Sequence, residues 1–136
     1  MSAPGERYLA LRVVMMPRDT NQYGTIFGGV ILSYIDQAGH VGACRATGLT
    51  PRDDVGVLLT VAMDAVEFHE PVYVGDVVSL YTSIVRIGRT SVTVHVEVES
   101  ERGRGPVRLT QADVTYVAVS EHDGERRPVP IRGAEE

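Results

Sequence analysis

The sequence predicts an α+β domain in which one long helix is covered by an antiparallel sheet of about five strands. The helix prediction rests on the stretch from Gly28-Gly29 to about Thr47, where apolar residues recur every three or four positions. The sheet prediction rests on strand-like segments joined by short links, which favour antiparallel neighbours. Because one helix covers only one sheet face, we expect the sheet to curl round it and a second copy to cover the open side.

Five strands are predicted in chain order, with the helix after the first. The first strand is followed by a loop, Pro17 to Gly24, and the helix by a polar connection, Thr50 to Asp54. The second strand is apolar on both faces, which favours a central position in the sheet. The strands span Tyr8 to Met16, Val55 to Phe68, Val77 to Ile87, Val92 to Glu99 and Val107 to Val119.

Length and composition indicate one domain over residues 1–136, with a core at about 8–120 and a charged tail at 121–136. A net charge of −5 argues against nucleic-acid binding. No run of 18 apolar residues and no apolar leader is present, so neither membrane insertion nor export is expected. The single cysteine, Cys44, fits a reducing cytoplasm. The four histidines lack paired metal spacing, so we expect no metal and no cofactor.

The predicted helix is rich in small residues, including two interior glycines, Gly39 and Gly42. An interior glycine costs a helix about 1 kcal/mol relative to alanine. We therefore expect another part of the backbone to approach the helix closely there.

Two features of the helix indicate chemistry. Phe27, Gly28 and Gly29 place free N–H groups at the helix N-terminus, which is either a simple turn or a site for a developing oxyanion. Asp36, two turns further along the helix, is either solvated on an outer face or has a functional role. Together they suit hydrolysis of an activated acyl group, with Asp36 as general base or nucleophile.

The order of several motifs resembles the hotdog-fold acyl-CoA thioesterases of the YciA and brain acyl-CoA hydrolase type. The resemblance covers roughly Leu9 to Pro130. It is carried by Met16-Pro17-x-Asp19-Thr20-Asn21-x-x-Gly24-x-Ile26-Phe27-Gly28-Gly29, Ile35-Asp36-x-Ala38-Gly39, Thr60-Val61-Ala62-Met63-Asp64, Phe68-His69-x-Pro71-Val72-x-Val74-Gly75-Asp76, Gly88-Arg89-Thr90-Ser91 and Tyr116-Val117-Ala118-Val119.

The resemblance implies a hotdog fold, a homodimer with two composite sites, and often a trimer of dimers, that is, a hexamer. Asp36 matches the catalytic aspartate, and Asn21 matches an asparagine that faces it from the partner subunit. Gly28 and Gly29 match the turn that polarises the thioester carbonyl. The segments that match coenzyme A contacts are Thr60-Val61-Ala62 and Arg89-Thr90-Ser91.

Arg89 suits phosphate on chemical grounds, although a solvated hairpin arginine would look the same. The candidates for the acyl pocket are Phe27, Val30, His40, Phe68 and His69. Val30 replaces a tryptophan that many members carry. His40 replaces a small residue, and it either pairs with Asp36, lines the acyl pocket or fills space. His69 either lines the site or is an ordinary turn residue.

The leading hypothesis is therefore a cytoplasmic acyl-CoA thioesterase of fatty acid metabolism, which releases a carboxylic acid and free coenzyme A. One alternative is a hotdog hydratase or dehydratase acting on acyl thioesters, which would need a histidine–carboxylate pair such as His40 with Asp36. The other alternative is a non-catalytic acyl-CoA sensor.

Overall fold

The computed structural model describes residues 6–49, 56–122 and 124–131. The predicted connection at residues 50–54 and the predicted start of the second strand at Val55 lie outside this part. One 3-10 turn, Pro17–Asp19, lies in the loop before the helix. Within the described residues the elements are β1 (Tyr8–Val14), α1 (Gly28–Thr47), β2 (Val57–Phe68), β3 (Val77–Ile87), β4 (Ser91–Glu101), β5 (Pro106–His122) and β6 (Glu125–Pro128).

The strands form one sheet, and every neighbouring pair is antiparallel. The order across the sheet is β1-β3-β4-β5-β2, and β6 also pairs with β5. The helix α1 packs against the first five strands. The predicted α+β architecture, one helix wrapped by an antiparallel sheet, is confirmed.

The helix ends where the sequence predicts. Gly48 adopts a left-handed conformation, with φ at 78°, and its N–H donates to the Cys44 carbonyl oxygen at 2.8 Å. Glycine adopts this backbone conformation without steric cost, so it stops the helix cleanly. The helix side toward the sheet buries Ile31 and Ile35.

The central strand β4 contributes a regular row of buried residues to the core. Its alternate valines, Val92, Val94, Val96 and Val98, are fully buried. The residues between them point to the outer face, where His95 Nδ1 lies 2.7 Å from the Asp113 carboxylate. The predicted alternation of this strand is therefore confirmed.

The interior glycines of α1 admit side chains of the sheet. A Cβ on Gly39 would lie 2.3 Å from the Tyr116 hydroxyl, and a Cβ on Gly42 would lie 2.9 Å from Cβ of Thr82. The expectation of a close approach was correct, but the approaching groups are side chains rather than backbone.

The prediction that the second strand is central was wrong for a single chain. β2 pairs only with β5 and forms an edge of the sheet. Val61 and Phe68 on β2 are 58% and 54% exposed. The apolar pattern on both faces therefore reflects surface that one chain leaves uncovered, and sequence periodicity does not distinguish this from a central position.

The described part of the predicted charged tail, up to Ile131, is in contact with the sheet. β5 continues to His122, and β6 pairs with Val119 to His122. Beyond β6, Ile131 is only 1% exposed, and its N–H donates to the Arg89 carbonyl oxygen at 2.7 Å. All four β6 residues are exposed, so β6 is held by backbone pairing, which hydropathy does not reveal. Residues 132–136 lie outside the described part.

We predict that Gly42→Ala lowers the free energy of unfolding by about 1–3 kcal/mol, because the new methyl overlaps Cβ of buried Thr82. Gly29→Ala is the matched control, since no atom lies within 4 Å of its Cβ position and alanine favours a helix by roughly 1 kcal/mol. Urea unfolding at one fixed protein concentration measures both. Equal stability of the two variants would contradict the close approach at Gly42.

Candidate active site

The loop before the helix is held by the side chain of Asn21. Its Oδ1 accepts hydrogen bonds from the N–H groups of Tyr23 at 2.8 Å and Thr25 at 3.1 Å. Its Nδ2 donates to Thr25 Oγ1 at 2.7 Å. Within this chain Asn21 therefore fixes the loop that leads to the glycine pair.

The helix begins with the N–H groups of Gly28 and Gly29, which belong to the first turn and have no helical acceptor. The prediction of a free N–H at Phe27 was wrong, because this N–H donates to the Asp19 carbonyl oxygen at 3.0 Å and so anchors the turn. About half a unit of positive charge is concentrated at such a terminus. The site is therefore suited to a partly negative oxygen.

An open cavity of about 320 Å³ lies beside this helix terminus. The ring of Phe68 lies 3.4 Å from the Cβ position on Gly28, and the backbone N–H of His69 donates to the Leu109 carbonyl oxygen at 2.8 Å. Of the candidates for the acyl pocket, the cavity includes Phe68 and His69 but not Phe27, Val30 or His40. Its lining consists of Thr25, Ile26, Gly28, Ile31, Phe68, His69, Glu70, Pro71 and Val72.

Asp36 lies half-buried in the middle of α1. Its Oδ1 accepts a hydrogen bond from Thr60 Oγ1 at 2.7 Å and from the Tyr116 hydroxyl at 3.2 Å. Both donors are neutral, and no cation pairs with this carboxylate in the described part of the chain. The contacts of the Asp36 carboxyl group in this part of the chain are therefore hydrogen bonds from neutral donors and not an ion pair.

Tyr116 is a site residue that the sequence analysis did not single out. It is fully buried on β5, and its hydroxyl also donates to the Asp36 backbone carbonyl oxygen at 2.8 Å. Burial, and then the facing Asp36 carboxylate, raises the pKa of the Tyr116 hydroxyl far above its usual range, so it stays protonated. The sequence offered two signals for this contact. They are a large aromatic residue on the inward face of β5 and a glycine in the helix, Gly39.

His40 does not pair with Asp36. Its Nε2 lies 3.3 Å from the Cys44 Sγ one turn further along the helix, and its ring meets Tyr116 edge-on with centroids 6.0 Å apart. Burial raises the pKa of the Cys44 thiol, which favours the neutral form. Of the three roles considered for His40, packing inside the fold is the one the geometry matches.

The two segments expected to contact coenzyme A flank the same part of β5. Thr60 pairs in register with Tyr116, and Ser91 pairs with Val117. Thr60 itself contacts Asp36, whereas Val61 is exposed and Ala62 is half-buried. The two segments thus lie on either side of one strand, about 10 Å apart by the spacing of strands.

The turn between β3 and β4 is tied to its neighbours through the backbone. The Gly88 N–H donates to the Ser91 carbonyl oxygen at 2.7 Å, and the Thr90 carbonyl oxygen accepts from the Ala118 N–H at 2.8 Å. The exposed Arg89 side chain has no carboxylate partner among the described residues. Its guanidinium is therefore available to an anion.

Among residues 6–49, 56–122 and 124–131, no three His, Cys, Asp or Glu side chains converge as a metal site would require. In the same part of the chain, α1 is not apolar enough over its length to cross a bilayer.

A single helix wrapped by an antiparallel sheet, with a carboxylate in mid-helix and a glycine turn at its start, defines a hotdog-fold domain. The family model of the thioesterase superfamily matches residues 23–107. The acyl-CoA thioester hydrolase YciA of Salmonella typhimurium is 38% identical over 130 residues, which cover 92% of this chain and 92% of the relative. YciA of Escherichia coli K12 is 37% identical over 128 residues, covering 90% and 91%.

Solved structures agree with the sequence comparison. A hexameric hotdog fold thioesterase of Campylobacter jejuni is 43% identical, covers 89% of each chain and superposes with a TM-score of 0.73. A hexameric thioesterase from Yersinia pestis is 37% identical, covers 95% of this chain and 99% of its own, and gives a TM-score of 0.75. The chain therefore belongs to the thioesterase superfamily, as a hotdog-fold enzyme related to the YciA acyl-CoA thioester hydrolases, and the family resemblance is confirmed.

Proposed function

We propose that this thioesterase hydrolyses acyl-CoA to a carboxylic acid and free coenzyme A, and that Asp36 is the reacting carboxylate. The observation that carries the role of Asp36 is its environment. The carboxylate is half-buried, is bound only by the neutral donors Thr60 and Tyr116, and is not neutralised by a cation. These contacts orient the carboxylate without pairing it with a cation, so it can still take a proton from water or attack a carbonyl carbon.

Two routes are compatible with this placement. As a general base, Asp36 takes a proton from water while the water oxygen attacks the carbonyl carbon, and the protonated carboxyl then returns the proton to the departing thiolate sulfur. As a nucleophile, Asp36 displaces the thiolate to form a mixed anhydride, which water then hydrolyses. Label in Asp36 after a single turnover in ¹⁸O-labelled water would establish the nucleophilic route, because attack of water on the Asp36 carbonyl carbon of the anhydride places the label there.

The thioester oxygen would be stabilised by the first turn of α1. The free N–H groups of Gly28 and Gly29 are the donors suited to this role. The acyl chain would enter the adjacent cavity past Phe68 and His69. A structural relative described as a broad specificity acyl-coenzyme A thioesterase, 32% identical and covering 99% of this chain, supports acyl-CoA as the substrate class here.

The alternatives are less well supported. A hydratase or dehydratase would use a histidine beside the carboxylate, but His40 contacts Cys44 instead. A non-catalytic sensor would not need two hydroxyl groups directed at the carboxylate of Asp36. Hydrolysis uses both the carboxylate and the glycine turn and does not require a histidine beside Asp36.

The helix length argues for a site shared between two subunits. Gly28 and Asp36 are eight positions apart, and at about 1.5 Å per residue the two lie roughly 12 Å apart along the axis. One thioester carbonyl group cannot contact both Gly28 and Asp36 of the same chain. A two-fold partner can bring its own loop, with Asn21 and the glycine pair, to this Asp36.

The edge strand β2 is the surface suited to the partner. Its outer edge has no neighbour among the described strands, and Val61 and Phe68 on it are largely exposed. An exposed edge with apolar side chains favours pairing with another chain. The Campylobacter jejuni and Yersinia pestis relatives are hexameric, which supports a trimer of such dimers here.

Coenzyme A would be recognised along Thr60-Val61-Ala62 and Arg89-Thr90-Ser91. The exposed Arg89 guanidinium suits a phosphate of the nucleotide. We place the enzyme in the cytoplasm, in fatty acid metabolism, where its single thiol would remain reduced. No cofactor is part of this proposal, since coenzyme A enters and leaves with the substrate.

We predict that Asp36→Asn lowers kcat for acyl-CoA hydrolysis by at least ~100-fold, because the amide cannot act as a base or nucleophile. The fold should persist, since the amide oxygen can still accept from Thr60 and Tyr116. Thiol release measures the rate, and Glu101→Gln, an exposed carboxylate at the end of β4, is the control. Near-normal turnover in folded Asp36→Asn protein would remove Asp36 from the mechanism.

We predict that Arg89→Ala raises KM for acyl-CoA by about 10-fold with little change in kcat, because a phosphate contact is present in both ground and transition states. The difference should shrink as ionic strength rises. Arg104→Ala is the matched control, because Arg104 is an exposed arginine in the turn between β4 and β5. A loss in kcat with KM unchanged would exclude the phosphate role.

A further inference from the structure

Two hydroxyl groups from neighbouring strands converge on one oxygen of Asp36. Thr60 Oγ1 lies 2.7 Å from Oδ1, and the Tyr116 hydroxyl lies 3.2 Å from the same atom. The two donors are paired in register across β2 and β5. Among the described residues Oδ2 has no hydrogen-bond partner, so the two carboxylate oxygens differ in their surroundings.

The Tyr116 donor is fixed by packing. Its side chain is fully buried, and its hydroxyl occupies the space that a side chain at Gly39 would fill. The single proton of this hydroxyl is shared in a three-centre hydrogen bond, at 2.8 Å to the Asp36 backbone carbonyl oxygen and 3.2 Å to Oδ1. One tyrosine thus contacts both the backbone and the carboxylate of the residue that it orients.

The Thr60 donor comes from the exposed edge strand. The register between β2 and β5 shifts directly after Thr60, between Thr60 and Ala62. Such an irregularity changes the direction of neighbouring side chains. Its position places the Thr60 hydroxyl over the helix, against Asp36.

We propose that Thr60 and Tyr116 are positioning residues that hold Oδ1 of Asp36 and so present Oδ2 to water or to the thioester. The inference rests on the proposed function of Asp36. Within the segment Thr60-Val61-Ala62, it assigns the Thr60 hydroxyl to Asp36 and leaves the proposed coenzyme A contact to the rest of the segment. The two roles predict different kinetics, because a positioning residue acts on kcat and a ground-state substrate contact acts on KM.

The test compares Thr60→Val, which keeps the shape of threonine but lacks the hydroxyl, with Thr60→Ser, which keeps the hydroxyl. We expect Thr60→Val to lower kcat by about 10-fold, the usual scale of one lost hydrogen bond, with KM within about twofold. Thr60→Ser should recover most of the loss. Thr93→Val is the matched control, because it removes a hydroxyl from the Thr93–Thr115 pair away from Asp36.

A second arm asks whether Thr60 acts through Asp36. In an Asp36→Asn background, Thr60→Val should lower the residual rate by less than about twofold, since coupled residues are not additive. Tyr116→Phe, which removes only the hydroxyl, should behave as Thr60→Val does in both backgrounds. It keeps the proposal testable should Thr60→Val fail to fold.

An increase in KM with normal kcat in Thr60→Val would overturn the inference and restore the coenzyme A contact. Equal losses in the Asp36→Asn and wild-type backgrounds would overturn it as well. Failure of the proposed function has a separate signature, because the wild-type rate would then not depend on Asp36. Normal kcat in both Thr60→Val and Tyr116→Phe, with an Asp36-dependent wild type, would overturn the positioning role alone.

Discussion

The close approach of the sheet to one side of α1 is the constraint on which the site depends. Gly39 and Gly42 lack side chains where Tyr116 and Thr82 come in from the strands. Each glycine costs helix stability, and the packing of the sheet offsets that cost. The approach at Gly39 lets a fully buried hydroxyl reach Asp36 in the middle of the helix. Packing and chemistry are therefore coupled at one residue, since any larger residue at position 39 would displace the donor.

The same rigid helix keeps the two proposed reactive groups, the N–H donors and the carboxylate, apart. Its first turn offers N–H donors at Gly28 and Gly29, and Asp36 lies about 12 Å further along. A helix cannot bend enough to close that gap on one carbonyl. The exposed edge strand β2 adjoins Asp36 through Thr60, so a partner paired along β2 would lie next to the carboxylate. In this account, subunit pairing and assembly of the site are the same event.

Periodicity predicted the helix, its end at Gly48 and the alternation of β4, because these depend on local spacing. The motifs pointed to Asp36 and the glycine turn. Periodicity predicted a central position in the sheet for β2, because an edge strand with exposed apolar residues and a buried strand have the same apolar pattern. It also missed β6, whose exposed residues are held by backbone pairing. Tyr116 was missed because its contact with Asp36 joins residues 80 positions apart.

The most direct test of the shared site mixes two inactive proteins, Asp36→Asn and Asn21→Ala, with exchange confirmed by two affinity tags. The Asn21 lesion disables the loop whether that side chain meets substrate or only holds Thr25. If each site takes Asp36 from one subunit and the loop from its partner, a mixed dimer has one intact site. Random pairing should then restore about a quarter of wild-type activity. No recovery despite confirmed exchange would contradict the account.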